Sequence, residues 1–208
     1  APDMVGALNL LMREQHREPL PFEQARNHVS KGGLALVQLG FADEKDEQML
    51  ETLRLRFLDI YSENLCIGTR LFAGMPEVLD FIDARGMNWG VVTNKPAWLT
   101  EPLMEALGLH ERAACVISGD TLEKRKPHPE PLLHACELAA SPAGECVFIG
   151  DDARDIEAGK AAQMATLVAL YGYIDDDSFP AQWGADGVIE QAADLIALLA
   201  RISHHGAR

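Results

Sequence analysis

The sequence contains no apolar run approaching the roughly 20 residues that span a bilayer. It shows no charged start followed by an apolar segment and a small-residue cleavage site. The expectation is a cytoplasmic protein with no membrane partner. Basic residues are scarce: Lys and Arg number 18 against 32 Asp and Glu, a net charge of −14 with His neutral. Such a surface repels nucleic-acid phosphates, which excludes a general nucleic-acid binder. It also repels small anions at long range, so any phosphate site needs its own local cations. Cysteine is scarce as well. Cys66, Cys115, Cys136 and Cys146 form no C-x-x-C pair and no zinc spacing with histidine,. They are expected to be free, mostly buried thiols in a reducing compartment. His204 and His205 lie in a polar tail expected to fray,.

What is present is 208 residues, 48% of them hydrophobic. That suits one α/β domain, or one domain with a smaller insertion. Two textures divide the chain near residue 70. Up to that point the periodicity is helical. Val5, Leu8, Leu11 and Met12 recur at three- and four-residue steps, Phe22 to Val29 and Leu34 to Leu39 read as short helices, and Gly32-Gly33 interrupts them,. Asp43 is a candidate cap for a longer helix with Met49, Leu50, Leu53, Phe57, Ile60 and Tyr61 on its apolar face,. No strand is expected in this part.

From about residue 72 helices and strands alternate. Helices are expected at Pro76–Arg85, Ala97–Leu107, Pro129–Ala139, Ile156–Met164 and about 192–200. Strands are expected at Trp89–Thr93, Ala114–Ile117, Cys146–Ile149, Thr166–Leu170 and Gly187–Ile189. The alternation predicts a parallel sheet with helices on both faces. Ligands of such sheets bind beyond the carboxyl ends of the strands.

Those strand ends are polar. The first is followed by Thr93-Asn94-Lys95-Pro96, where a hydroxyl and backbone N–H groups can hold phosphate oxygens, or where Thr93 simply caps a helix,. The second is followed by Ser118-Gly119-Asp120 and then Lys124-Arg125-Lys126-Pro127-His128-Pro129. Pro127 disfavours α geometry at Lys126 and can aim its ammonium into a cleft, where it would neutralise a transferring phosphoryl group. A solvated charged loop is the bland alternative. The third is followed by Gly150-Asp151-Asp152-Ala153-Arg154-Asp155, three carboxylates within five residues. Two like charges about 4 Å apart cost on the order of 1 kcal/mol in water and several times that near a protein surface. A hard divalent cation such as Mg²⁺ removes that cost, although a helix N-terminus also favours acidic residues.

Together these signals resemble the haloacid dehalogenase superfamily of hydrolases, phosphoglycolate phosphatase type. Val91-Val92-Thr93-Asn94-Lys95 looks like the second signature motif, Lys126-Pro127-His128-Pro129 the third, and Phe148-Ile149-Gly150-Asp151-Asp152-Ala153-Arg154-Asp155-Ile156 the fourth. Residues 1–70 are similar to the family's small all-α cap. Residues 71–208, starting near Phe72-Ala73-Gly74-Met75-Pro76, resemble its Rossmann-like α/β core.

The resemblance implies a Mg²⁺-dependent phosphatase that hydrolyses a small phosphomonoester through an aspartyl-phosphate. Thr93 and Lys126 would be catalytic; Thr93, Asn94, Lys95 and Lys31 would bind substrate; Asp151 and Asp152 would hold the metal; Asp155 would support Lys126 or the metal's surroundings. Ser30-Lys31-Gly32-Gly33 would be a loop closing over the site, with Lys31 contacting a substrate carboxylate. Both 2-phosphoglycolate, the preferred expectation, and N-acetylmuramate 6-phosphate carry one. A monomer or homodimer is expected.

The family's nucleophile and its general acid–base are two aspartates of a D-x-D-G-T-x-x-D-[ST] motif on the first strand. No residue of this sequence matches them; Ala1-Pro2-Asp3 looks like the continuation immediately after that motif. The expectation is a truncated chain that is poorly stable and inactive as given. Two other classes remain as alternatives. Receiver-like phosphoacceptor modules also join acidic residues, Thr and Lys, but in the chain order acidic pair, Asp, Thr, Lys; here the order is Thr93, Lys126, Asp151. A non-catalytic phosphate-binding protein is the other.

Overall fold

The computed structural model describes residues 1–203; the histidines expected to fray lie outside them. The chain divides into two compact units, Ala1–Arg70 with Tyr173–Asp177, and Leu71–Gly172 with Ser178–Arg208. The expected boundary after residue 70 left Tyr173–Asp177 with the α/β part. The segment instead groups with the first unit, because its side chains and backbone bond to residues 26–31.

Among the described residues the regular elements of the first unit are all helical: α1 (Pro2–Glu14), α2 (Phe22–Arg26), α3 (Gly33–Gly40) and α4 (Glu47–Glu63), with a 3-10 turn over Val29–Lys31. Val5, Leu8, Leu11 and Met12 of α1 are buried and pack with Leu36 and Val37 of α3 and with Leu53, Phe57, Ile60 and Tyr61 of α4. The cap of α4 is Asp46, not Asp43: Asp46 accepts from the backbone N–H of Gln48 at 2.9 Å. Asp43 is drawn off by Arg17, whose guanidinium grips it at 2.9 Å. Starting at Glu47 also turns Met49, 46% exposed, away from the buried face.

Asp3 ties the two ends of residues 1–70 together. Its carboxylate accepts from Gly68 N at 2.6 Å, Thr69 N at 2.9 Å and Thr69 Oγ1 at 2.6 Å. Burial pushes this carboxyl up, but the bonds from Thr69 and Gly68 outweigh it and hold the group below its usual range.

The second unit alternates as expected: α5 (Met75–Asp83), β1 (Gly90–Val92), α6 (Ala97–Ala106), β2 (Cys115–Ile117), α7 (Glu130–Leu138), β3 (Val147–Gly150), α8 (Ala153–Ala161), β4 (Ala165–Ala169), β5 (Gly187–Ile189) and α9 (Asp194–Ser203). All strand pairs are parallel. Helices cover both faces. Leu167 and Ala169 of β4 pack with Val78 of α5 and Leu195 and Leu199 of α9. Leu132 of α7 packs with Ala158 of α8 and, beside them, Val92 and Phe148. Among the described residues the strands form two sheets, β1-β2 and β3-β4-β5. A cavity of about 920 Å³ lies between them, lined by β1 and β3 along with largely apolar side chains.

Replacing Asp3 by Ala strands three donors, at a cost of about 1–3 kcal/mol. The expected result is faster amide exchange along α1; unchanged exchange would show that the tie contributes nothing. Because the folded carboxyl is depressed, its contribution is complete above the unfolded value near 3.9 and is lost as pH falls through the lower folded value.

Candidate active site

The second unit carries its polar residues where the parallel strands end. Thr93 follows β1. Its backbone N–H continues the ladder to Ile117 O at 2.8 Å, and its Oγ1 accepts from Lys95 N at 3.1 Å. That turn leaves the hydroxyl hydrogen as a donor. Lys95 folds its own carbonyl back to Gly119 N at 2.8 Å, joining the loops after β1 and β2. Burial pushes the Lys95 ammonium down to about 8.

Lys126 is the centre of the arrangement. Its side chain is 10% exposed. Its Nζ lies 2.8 Å from Asp155 Oδ1, 2.7 Å from the Val92 carbonyl and 5.3 Å from the centroid of the Phe148 ring. Its own carbonyl accepts from Asn94 Nδ2 at 2.9 Å. The ammonium thus joins the end of β1 to the first turn of α8, next to Asp151-Asp152. The Asn94 Oδ1 is buried with no hydrogen-bond partner among the described residues.

The three carboxylates after β3 have different surroundings. Asp155, buried in the first turn of α8, faces Lys126. Asp152 caps α8, accepting from Arg154 N at 2.9 Å, and both its oxygens take the Arg154 guanidinium, at 2.7 and 2.8 Å. Burial pushes Asp152 up, but the Arg154 bonds prevail and leave it below its usual range. Asp151 sits against Gly172: a Cβ there would come within 2.3 Å of Asp151 Cβ. Gly150 makes the same allowance for Asp155, 2.3 Å from its Oδ2. Burial, and then the Asp151 charge, raise the Tyr171 phenol.

The donors at this strand end are hard oxygens, which suit Mg²⁺ rather than a thiolate- or imidazole-seeking ion. No group of three or more His, Cys, Asp or Glu that could hold a metal occurs among the described residues. Mg²⁺ does not require one, because it keeps several waters and shares substrate oxygens with one or two carboxylates. Asp151 fits that use; Asp152 would have to share oxygens already bound to Arg154.

Of the residues singled out from sequence, Thr93, Asn94, Lys95, Lys126, Asp151, Asp152 and Asp155 all belong to this unit; contacts join Thr93 to Lys95, Asn94 to Lys126 and Lys126 to Asp155, while Asp151 and Asp152 adjoin them along the chain. Lys31 does not belong to this unit. It lies in the first unit, paired with Asp175. Sequence reasoning missed Arg154 as the partner of Asp152: the Arg was visible two residues on, but not its pairing. It also missed Asp175, which is 144 residues from Lys31 and gave none.

Comparison with known proteins identifies the family. The family model of haloacid dehalogenase-like hydrolases matches residues 3–169. An N-acetylmuramic acid 6-phosphate phosphatase of Pseudomonas aeruginosa is 42% identical over 202 residues, 97% of this chain and 89% of that one. A phosphoglycolate phosphatase of Xanthomonas campestris is 40% identical over 195 residues, 94% of this chain and 88% of that one. A solved structure described as a predicted phosphoglycolate phosphatase from Haemophilus somnus superposes with a TM-score of 0.82 at 26% identity, covering 95% of this chain and 91% of that one. The chain belongs to the haloacid dehalogenase-like hydrolase family.

Lys95 yields a pH prediction. Its folded value near 8 lies below the unfolded value near 10.4, so burial penalises the protonated form and the unfolded chain holds more protons between the two,. Stability relative to Lys95→Met should therefore rise between pH 7 and pH 9.5, by about 2 kcal/mol. Urea unfolding of both proteins at the two pH values measures it; a flat difference would show that Lys95 is not desolvated.

Proposed function

We propose that this chain is the greater part of a Mg²⁺-dependent phosphomonoester hydrolase acting on a small carboxylated phosphate ester, 2-phosphoglycolate first. The observation that carries the reading is Lys126, a largely enclosed ammonium held at once by the Val92 carbonyl and Asp155. A cation fixed at the mouth of a parallel sheet, beside a hydroxyl and a carboxylate pair, is suited to stabilising charge that develops on a transferring phosphoryl group.

The roles follow the family resemblance, and the contacts of Lys126 and Asp155 support them. The Thr93 hydroxyl and the Asn94 backbone N–H bind phosphoryl oxygens, with Lys95 adding a second cation close by. Lys126 spans substrate and nucleophile. Asp155 orients Lys126 and keeps its charge paired. Asp151 and Asp152 would hold Mg²⁺, which when bound would supply charge neutralisation at the phosphate. The nucleophile is an aspartate outside these 208 residues, forming the aspartyl-phosphate that water hydrolyses. A parallel strand bearing it would fill the cavity lined by β1 and β3 and pair with both edges,. The helical unit is the cap that selects the substrate, through Lys31.

N-acetylmuramate 6-phosphate is a second reading, favoured by the 42% identity to a phosphatase of that name. Both candidates carry a carboxylate, which is why Lys31 remains the proposed contact for either.

The test is phosphate release by the full-length protein from both esters, with and without Mg²⁺. Asp151→Asn and Lys126→Ala should each lower kcat by about a hundredfold or more. Lys126→Ala also strands Asp155 and should cost about 3–5 kcal/mol of stability. The double variant Lys126→Ala/Asp155→Ala should recover much of that stability and none of the turnover. Turnover restored in the double variant would remove Lys126 from the mechanism.

A further inference from the structure

The Tyr173–Asp177 segment grips the turn that carries Lys31 at several points. The Ser30 hydroxyl donates to the Tyr173 carbonyl at 2.6 Å. Asn27 Nδ2 donates to Asp176 Oδ1 at 2.9 Å, and the Arg26 guanidinium lies 5.0 Å over the Tyr173 ring. The last contact is the ion pair of Lys31 with Asp175. The others tether side chains of the turn to the segment. This one sets a carboxylate on the ammonium itself.

The partners of that pair are unequally placed. The Asp175 side chain is 14% exposed and that of Lys31 45%. The carboxylate is packed in place by a segment with other anchors, while the ammonium sits on a long stem with solvent around it. Lys31 is therefore the member free to exchange partners.

We infer that Asp175 is an internal stand-in for the substrate's carboxylate, occupying Lys31 until an incoming carboxylate takes its place. The inference rests on the reading of Lys31 as the carboxylate contact. A paired Lys31 presents little net charge, so it exerts little pull on an anion that stays at a distance. Only a ligand whose carboxylate reaches hydrogen-bonding range can replace one ion pair by another. Asp175 thus keeps Lys31 from trapping any phosphate that passes, and the exchange weakens carboxylate binding by what an exposed pair is worth, about two- to fivefold in affinity.

The experiment is steady-state kinetics on the full-length protein with 2-phosphoglycolate, N-acetylmuramate 6-phosphate and p-nitrophenyl phosphate, which has no carboxylate. Asp175→Asn keeps the shape and an acceptor oxygen but removes the charge. Its KM for the carboxylated substrate that turns over should fall two- to fivefold, with kcat and the p-nitrophenyl phosphate constants unmoved, and the gain should shrink as salt is raised. Asp176→Asn removes an equal charge from the same segment without touching Lys31, and should change neither. A rise in the carboxylated KM in Asp175→Asn would overturn the inference, since Asp175 would then present Lys31 rather than occupy it. So would an equal fall in Asp176→Asn, which would be a general field effect. Lys31→Ala separates the premise from the inference. If it leaves the carboxylated KM unchanged, the reading of Lys31 fails. If it raises that KM while Asp175→Asn moves nothing, the inference alone fails.

Discussion

Lys126 carries its charge on a side chain only 10% exposed, and two acceptors from different parts of the second unit make that possible. Asp155 supplies the opposite charge at 2.8 Å and the Val92 carbonyl a dipole at 2.7 Å. A buried ion pair stabilises a fold little in itself, because desolvation offsets much of the attraction. Its value lies in what the ammonium does to a third party. In the same low dielectric, two of its three N–H donors are committed and its position is fixed, so charge developing nearby meets a cation that need not reorganise. The neighbouring residues serve that placement. Asn94 holds the Lys126 carbonyl, and Gly150 leaves the space in which Asp155 can turn toward the ammonium.

The same constraint orders the acidic residues. Three carboxylates within five residues would repel one another in a chain already at −14,. The fold answers them separately: Asp155 receives Lys126, and Asp152 receives both the helix N-terminus and the forked guanidinium of Arg154. Asp151, packed against Gly172, projects its charge toward the Tyr171 phenol. Local cations therefore sit among the carboxylates of an acidic protein, which is what any phosphate site on such a surface requires.

Much of this was legible in the sequence, because the signals were local. Each strand was short, apolar and followed at once by polar residues, so the strand ends could be read in order even though their bounds shifted by a residue or so. What was not legible depended on tertiary choice. Asp43 and Asp46 are equally good caps by type; Arg17, 26 residues from Asp43, decides between them by taking Asp43 away. Tyr173–Asp177 reads as a loop after β4, and nothing local says that it binds residues 26–31. Arg154 was visible but ambiguous, since an Arg in the first turn of a helix gains nothing from the helix dipole and is explained only once its two bonds to Asp152 are seen. Lys31 shows the limit most clearly. Its identity as a cation near an interrupted helix was readable, its partner was not, and the partner changes what the lysine offers to a ligand.

The division of the strands into two sheets returns to Lys126. β1 with β2, and β3 with β4 and β5, form two ladders that share no strand pairing among the described residues. Lys126 reaches across that division. Its Nζ bonds the last carbonyl of β1, lies over the Phe148 ring of β3 and pairs with the helix after β3. The residue assigned the central chemical role is thus also a strut between the two ladders. Position and charge are then not separable properties of the side chain, because the contacts that fix the ammonium are also the ones that answer its charge. Such coupling explains why the polar residues gather at the strand ends and at the first turn of α8. Only there can one side chain be fixed by two ladders at once, and rigid support of that kind is what a site working by electrostatic preorganisation needs.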